Sequence, residues 1–440
     1  MLNEIIDRQK DDVAQRQKRL PLSQFYDSLV PSDRKFKGGY IFECKYRSPS
    51  GTMLNEQYPI ELLAKQYAPF ADAISVLTNA PYFGGSFTHL RRVRAVVDKP
   101  VLCKDFILSP YQVALARLYG ADAILLMLSV LNDEEYLACR QQALDLHMEV
   151  LTEVHTLEEL HRAKKLKANI IGINHRSLHT LQLDMGRVAQ LAPHFPKNTL
   201  MIAESGIQTH QQIQQLRQNV QGFLIGSALS KSENVALTIR ELRFGTIKIC
   251  GLTRAIDATH AFSMGASLGG LIFSEHSLRC ITLAQAHKII QAAPLQYVGV
   301  FTDQNIDFMI EAAQKLQLHA VQLHQFPNHK IALLREKLPP DCQIWQAFSG
   351  NATIPHILPP LINKMVVDNG QLGGTGKSFH WDRIENSPLL PHILLAGGLC
   401  RDNIRQAKAL KTWGLDINSG VETQPGIKDR TQLEELFNEI

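Results

Sequence analysis

Glu43, Lys45, Lys104, Glu153, Asn174, Arg176 and Glu204 each stand at the end of an apolar run in the first half of this 440-residue chain. Carboxylates and lysines gathered at one place can exchange protons, because opposite charges and partial burial shift their pKa values towards use. Structural ion pairing is the plainer reading of any one of them. The second half offers another set: Cys250, Arg279, His324, Asp368 and Asp416. Cys250 directly precedes Gly251 at the end of a run. Cys44 and Cys342 read as core filler, the usual place of a free cysteine. Cys280 and Cys400 flank loops as well, so position alone does not choose Cys250.

The elements that must position these residues are short apolar runs separated by amphipathic stretches. In the first half they are YIFECK from Tyr40, AISVLT from Ala73, VLCKDF from Val101, AILLML from Ala123, EVLTEV from Glu149, IIGINH from Ile170, LMIAES from Leu200 and GFLIGS from Gly222. The second series is IKICGL from Ile247, LGGLIF from Leu268, QYVGVF from Gln296, AVQLHQ from Ala320, QIWQAF from Gln343, MVVDNG from Met365, HILLAG from His392 and LDINSG from Leu415. Uninterrupted apolar strands alternating with helices signal parallel sheet covered by helices. Two sets of eight predict an α/β protein of two consecutive (β/α)8 TIM barrels; a pair of doubly wound domains more often has five or six strands each. The expected domains are 1–244 and 245–440. No Gly/Ser-rich linker separates them, which favours two halves packed together.

Both halves end alike. The seventh run leads into Ser205-Gly206 and the eighth into Gly226-Ser227; the counterparts are Gly397-Gly398 and Ser419-Gly420. Glycine lets backbone approach a ligand, and successive N–H groups form an anion nest. Loops after the last two strands of such barrels commonly bind phosphate. A tight turn is the alternative for one such pair, and its recurrence at matching places favours phosphate. The stretch GQLGGTGKS after the run ending at Asp368 lacks the G-x-x-x-x-G-K spacing. It reads as a mobile loop that closes over a substrate.

Composition narrows the field. Hydrophobic residues at 45% and charged residues at 20% describe an ordinary globular chain. A net charge of +4 is too small to argue for nucleic acid, though it suits anionic small molecules. The 7 cysteines are scattered with no C-x-x-C pair, so neither a disulfide framework nor a zinc site is expected. The first residues, MLNEIIDRQKDDVAQRQKRLP, are charged throughout, unlike a signal peptide. No run reaches the roughly 18 apolar residues of a membrane span. A cytoplasmic protein with no membrane partner is expected.

At this point the motifs match known families. FECKYRSPS (Phe42–Ser50), LCKDFI (Leu102–Ile107), LTEVHT (Leu151–Thr156), IGINHRSL (Ile171–Leu178), AESGI (Ala203–Ile207) and LIGSALS (Leu224–Ser230) resemble indole-3-glycerol-phosphate synthase over the whole first half. KICGLT (Lys248–Thr253), GLIF with Arg279, VQLH (Val321–His324), the VVD…GGTGKSF…W stretch (Val366–Trp381), LAGGL (Leu395–Leu399) and LDINSGVET with PGIKD (Leu415–Asp429) resemble phosphoribosylanthranilate isomerase. The order resembles the fused bifunctional enzymes of tryptophan biosynthesis. Histidine-pathway barrels, by contrast, use an aspartate where Cys250 stands. The chain departs from the families in three places: no proline precedes Arg279, Gln325 stands where glycine is common, and no lysine follows SPS.

The resemblance implies two reactions on phosphorylated anthranilate sugars, with no metal or organic cofactor, in a protein expected to be a monomer. The isomerase half opens a phosphoribosyl ring by an Amadori rearrangement. The synthase half then closes the indole ring with loss of carbon dioxide and water. It implies Lys104 as general acid in ring closure and Glu153 as its acid–base partner. Glu43, Lys45, Asn174 and Glu204 support them, and Ser48 and Arg176 bind substrate. In the isomerase half, Cys250 is the base and Asp368 the acid, with Arg279 and His324 on the substrate. Ser205, Gly206, Gly226, Ser227, Gly397, Gly398, Ser419 and Gly420 hold phosphate.

Overall fold

A computed structural model of the chain describes residues 2–48, 51–52, 58–177, 180–352, 354–368 and 381–440. The chain divides into two compact units between Arg243 and Phe244. In the first, β1 (Gly39–Cys44), β2 (Ala73–Leu77), β3 (Val101–Lys104), β4 (Ala123–Met127), β5 (Glu149–Val154), β6 (Ile170–Asn174), β7 (Leu200–Glu204) and β8 (Gly222–Ile225) close into a barrel. In the second, the closed set is β9 (Thr246–Ile249), β10 (Leu268–Ile272), β11 (Gln296–Phe301), β12 (Ala320–Leu323), β13 (Gln343–Ser349), β14 (Lys364–Asp368), β15 (Ile393–Leu395) and β16 (Gly414–Ile417). All pairings within each barrel are parallel and helices alternate with the strands, so the protein is two consecutive (β/α)8 barrels. Every one of the sixteen apolar runs became a strand.

Parity along the strands decides what faces inward. Residues two apart share a face. Ile41, Leu102, Leu151 and Ile202 belong to the buried cluster of the first barrel. Two positions on come Glu43, Lys104, Glu153 and Glu204, so the barrel's last interior layer is charged rather than apolar. The second barrel repeats the device: Val366 and Ala320 lie in its inner apolar cluster with Leu268, Val298, Trp345 and Leu394. Asp368 and Gln322 follow on the same parity.

Register then sets the polar residues side by side. Asn174 pairs with Glu204 and Met127 with Glu153. In the second barrel Lys248 pairs with Asp416 and Ser349 with Asp368. The N-terminal helix Leu2–Arg19 is tied to the ends of β2 and β3 through Gln9, which donates to Asp105 Oδ1 at 3.0 Å and to the Phe106 carbonyl at 3.1 Å. Asn79 in turn donates to Gln9 Oε1 at 3.0 Å. Gln325, at the place where glycine is common, adopts φ of 51°, a left-handed backbone that explains the family's glycine.

Candidate active site

In the first barrel one cleft is lined by Glu43, Lys45, Lys104, Glu153, Asn174, Arg176, Glu204, Ser205, Gly206, Gly226 and Ser227. Lys104 Nζ stands 4.0 Å from Glu153 Oε2 and 3.9 Å from Glu204 Oε2. Both carboxyls are almost wholly buried. Burial, reinforced by the charge of Glu153, pushes the Glu204 carboxyl well above its ordinary value. Burial acts against a charged Lys104, yet Glu43, Glu153 and Glu204 outweigh it and raise the ammonium's pKa. The site therefore sets a firm ammonium against one carboxyl biased towards its protonated form.

Glu43 pairs with Lys45 at 2.8 Å, and Lys45 Nζ donates to Ser227 Oγ at 3.2 Å. Burial alone would raise Glu43; Lys45 and Lys104 overcome it and hold the carboxyl below its usual range. Two glycines make room for these groups. A Cβ on Gly226 would collide with Glu43 Oε1, and one on Gly172 with Glu204 Oε1. Arg176 donates its backbone N–H to Asn174 Oδ1 at 2.9 Å and its Nη1 to the Leu181 carbonyl at 3.0 Å. Ser205 and Gly206 are consecutive left-handed residues, φ 66° and 79°, at the mouth of β7. Ser48 ends the two-residue strand Arg47–Ser48, but its side chain lies outside the described residues.

The second cleft is lined by Cys250, Arg279, His324, Asp368, Gly397, Gly398 and Ser419, together with Gln322 and Asp416. Gly420 is not among its walls. It packs on the Leu399 carbonyl so closely that no Cβ fits, which joins the loops after β15 and β16. Gly397 and Gly398 have φ of 86° and 67°. The loop GQLGGTGKS falls outside the described residues.

Lys248, wholly buried, donates to Asp416 Oδ2 at 2.8 Å, Gln322 Oε1 at 2.8 Å and Cys250 Sγ at 3.3 Å. Gln322 Nε2 lies 2.9 Å from His324 Nε2. The amide is the donor there, which leaves the ring proton on Nδ1. Burial and Lys248 push His324 down to about 4, so it is neutral near pH 7. Arg279 is committed to a carboxylate rather than hydrogen-bonded to the thiol. Its Nε and Nη2 grip Glu422 at 2.9 and 2.6 Å, and Glu422 also accepts from Lys428 at 2.7 Å. The cation on the sulfur is Lys248. Burial raises the Cys250 thiol, and Lys248 is the foremost influence bringing it back down, with the net shift upward.

Lys248, Gln322 and Glu422 escaped the sequence reading, as did His155. The His155 ring bridges Glu153 Oε1 and Glu159 Oε2, at 3.5 Å each. Burial opposes its charge, but Glu159 and Glu153 raise its pKa overall. For Lys248 a signal existed: it is a charged residue inside an apolar run, on the same parity as Cys250. Among the described residues no cluster of His, Cys, Asp and Glu has the geometry to hold a metal ion, and no helix is long and apolar enough to cross a membrane.

The fold and the two rims define a pair of (β/α)8 enzymes, one built on a lysine between carboxylates and one on a thiol sharing its cleft with a carboxyl. The family profile of indole-3-glycerol phosphate synthase matches residues 2–242, and that of N-(5'phosphoribosyl)anthranilate (PRA) isomerase matches residues 247–439. Relatives align across both halves. The tryptophan biosynthesis protein TrpCF of Vibrio cholerae is 44% identical over 451 residues, covering 100% of this chain and 96% of its own length. That of Haemophilus influenzae is 44% identical, covering 97% and 94%. That of Buchnera aphidicola from Schizaphis graminum is 44% identical, covering 100% and 99%. The chain belongs to this TrpCF family, with the synthase domain first and the isomerase domain second.

Proposed function

We propose that this bifunctional enzyme of tryptophan biosynthesis runs two consecutive steps, one per barrel, divided at 1–244 and 245–440. The second barrel isomerises N-(5-phosphoribosyl)anthranilate to 1-(2-carboxyphenylamino)-1-deoxyribulose 5-phosphate. The first converts that ketose into indole-3-glycerol phosphate, releasing carbon dioxide and water. What carries this reading is the chemistry of the last interior layer in each barrel: ammonium between carboxyls in one, thiol and carboxyl in the other. Each layer meets one of the two reactions.

In the isomerase, Asp368 as acid protonates the ring oxygen, and the ring opens to an imine. Cys250 as thiolate removes the proton from the adjacent sugar carbon, giving an enolamine that becomes the ketone. One group must begin protonated and the other ionised, an ordinary acid–base division. Arg279 takes the anthranilate carboxylate through the guanidinium edge left by Glu422, and neutral His324 lines the substrate. Gly397, Gly398, Ser419 and Gly420 shape the phosphate end.

In the synthase, the aromatic carbon bearing the carboxylate attacks the ketone, and Lys104 delivers its proton to the developing alkoxide. That alkoxide is a stronger base than any amine, so a lysine of raised pKa still serves. Carbon dioxide leaves, and Glu153 assists departure of the hydroxyl as water. Glu43 and Lys45 orient the sugar hydroxyls, and Asn174 and Glu204 support the indole-forming end. Ser48 and Arg176 contact the anthranilate part, while Ser205, Gly206, Gly226 and Ser227 receive phosphate. Each site is built from residues of its own barrel, which suits a monomer working in the cytoplasm. Purified full-length chain given phosphoribosylanthranilate should form indole-3-glycerol phosphate, and Lys104→Ala should stop at the ketose. Failure to consume phosphoribosylanthranilate at all would overturn the assignment.

A further inference from the structure

Lys248 has no part in the steps above, yet it is wholly buried with its ammonium fully hydrogen-bonded. An ammonium has three N–H donors, and here each meets an acceptor: Asp416 Oδ2, Gln322 Oε1 and Cys250 Sγ. A lysine kept only to fill the core needs its charge matched, and Asp416, its register partner on β16, does that. The third donor is turned to a sulfur that lines the cleft. Space is reserved for the arrangement as well. A Cβ on Gly270 would lie 2.6 Å from Cys250 Sγ and 3.0 Å from Lys248 Cε, so the neighbouring strand β10 carries no side chain there.

The other charged groups around the sulfur do not duplicate this. Arg279 and Lys428 approach from their own elements, but both are bound to Glu422. Asp416 opposes ionisation, His324 is uncharged, and Asp368 lines the same cleft as a carboxyl. Lys248 is the cation in hydrogen-bond contact with Sγ.

We propose that Lys248 is a positioning residue for the isomerisation: anchored by Asp416 and Gln322, it favours the thiolate of Cys250 against burial and fixes the sulfur's direction towards the sugar carbon. This rests on Cys250 being the base. Its consequence is a particular kind of defect. A neighbouring opposite charge lowers an acid's pKa by about 1–3 units. Loss of Lys248 therefore raises the thiol's apparent pKa by that amount and cuts the thiolate fraction at pH 7 by about 10- to 1000-fold, while high pH restores it.

The test uses full-length Lys248→Met and Lys248→Arg. The rate of Cys250 alkylation by iodoacetamide is followed against pH by peptide mass spectrometry. The pH profile of isomerase kcat/KM is taken on the same samples. The proposal expects both curves of Lys248→Met to move upward together by at least one pH unit, with Lys248→Arg between it and the parent. Where Lys248→Met does not fold, the double variant Lys248→Met/Asp416→Asn removes the carboxylate left alone and is read the same way. Curves that coincide with the parent's, or an activity loss equal at every pH, overturn the proposal. Cys250→Ser separates the two failures. If serine retains isomerisation, the base assignment falls. If serine is inactive and the lysine variant leaves the alkylation curve unmoved, only the role of Lys248 falls.

Discussion

Replacing Lys104 by methionine removes one charge from between two buried carboxyls and leaves their shape nearly intact. Two effects follow, and their sizes differ in ways that can be measured. Loss of a positioned general acid costs about 10²–10⁴-fold, so ring closure of purified ketose should fall by that factor. The stability effect comes from the pairs at 4.0 and 3.9 Å. At an effective dielectric near 20, one such pair is worth about 4 kcal/mol. Because burial biases Glu204 towards its protonated form, the loss is closer to one pair than to two. Breaking a buried pair typically costs about 3–5 kcal/mol, and the stranded carboxyl limits this by taking up a proton. Its folded pKa then lies above the unfolded value. Such a group stabilises below its unfolded pKa and loses that contribution as pH rises through the folded one. The destabilisation should therefore be about 3 kcal/mol at pH 8 and should shrink by about 1.4 kcal/mol per pH unit on acidification, for each extra proton bound. Urea unfolding followed at pH 6 and pH 8 measures it. A drop in ring closure of less than tenfold would place the acid elsewhere, with Lys45 the first suspect. A destabilisation that grows on acidification would refute the charge assignment of the two carboxyls.

Cys250→Ser should cripple isomerisation while Cys280→Ser and Cys400→Ser, an exposed and a half-buried thiol, leave it near the parent's rate, ring closure being read as control. Because burial raises the Cys250 thiol, isomerase kcat/KM should climb with pH on the alkaline side of neutrality; a profile flat from pH 6 to 9 would contradict a titrating thiolate. Asp368→Asn should stop isomerisation, since an amide cannot protonate the ring oxygen, and retention of a tenth of the activity would move the acid to another residue. Gln325→Gly should relieve a left-handed backbone costing about 1–2 kcal/mol, visible as a higher thermal midpoint; an unchanged or lower midpoint would mean the glutamine is not strained there. A chain ending near Phe244 should retain ring closure and one starting at Gly245 should retain isomerisation, each checked with its own substrate, and loss of both from folded halves would argue against independent sites.

Much of the fold was open to reading because buried parallel strands are uninterrupted apolar runs, and the residues that close each run fall at the barrel mouth by geometry. Lys104 after Val-Leu-Cys and Glu153 after Val-Leu-Thr stand out for that reason. What stayed hidden is pairing over distance. Lys248 sits inside IKICGL and resembles a stray strand residue until Asp416, 168 positions away, and Gln322, 74 positions away, are seen around it. Arg279 gave no sign of its carboxylate partner because Glu422 is 143 positions on. His155 stands two residues after Glu153, yet its place between two carboxylates depends on the turn into the next helix. Gly420 shares the Ser-Gly pattern of a phosphate loop, while close packing against Leu399 accounts for its lack of a side chain.

The central claim is that two complete and separate sites act in sequence on one chain, and complementation tests it most directly. Lys104→Ala and Cys250→Ala full-length proteins are each given phosphoribosylanthranilate, alone and mixed, and indole-3-glycerol phosphate is measured. The account predicts no product from Cys250→Ala, ketose but no indole from Lys104→Ala, and restored indole-3-glycerol phosphate from the mixture. Indole product from either variant alone at the parent's rate, or none from the mixture of folded proteins, would contradict it.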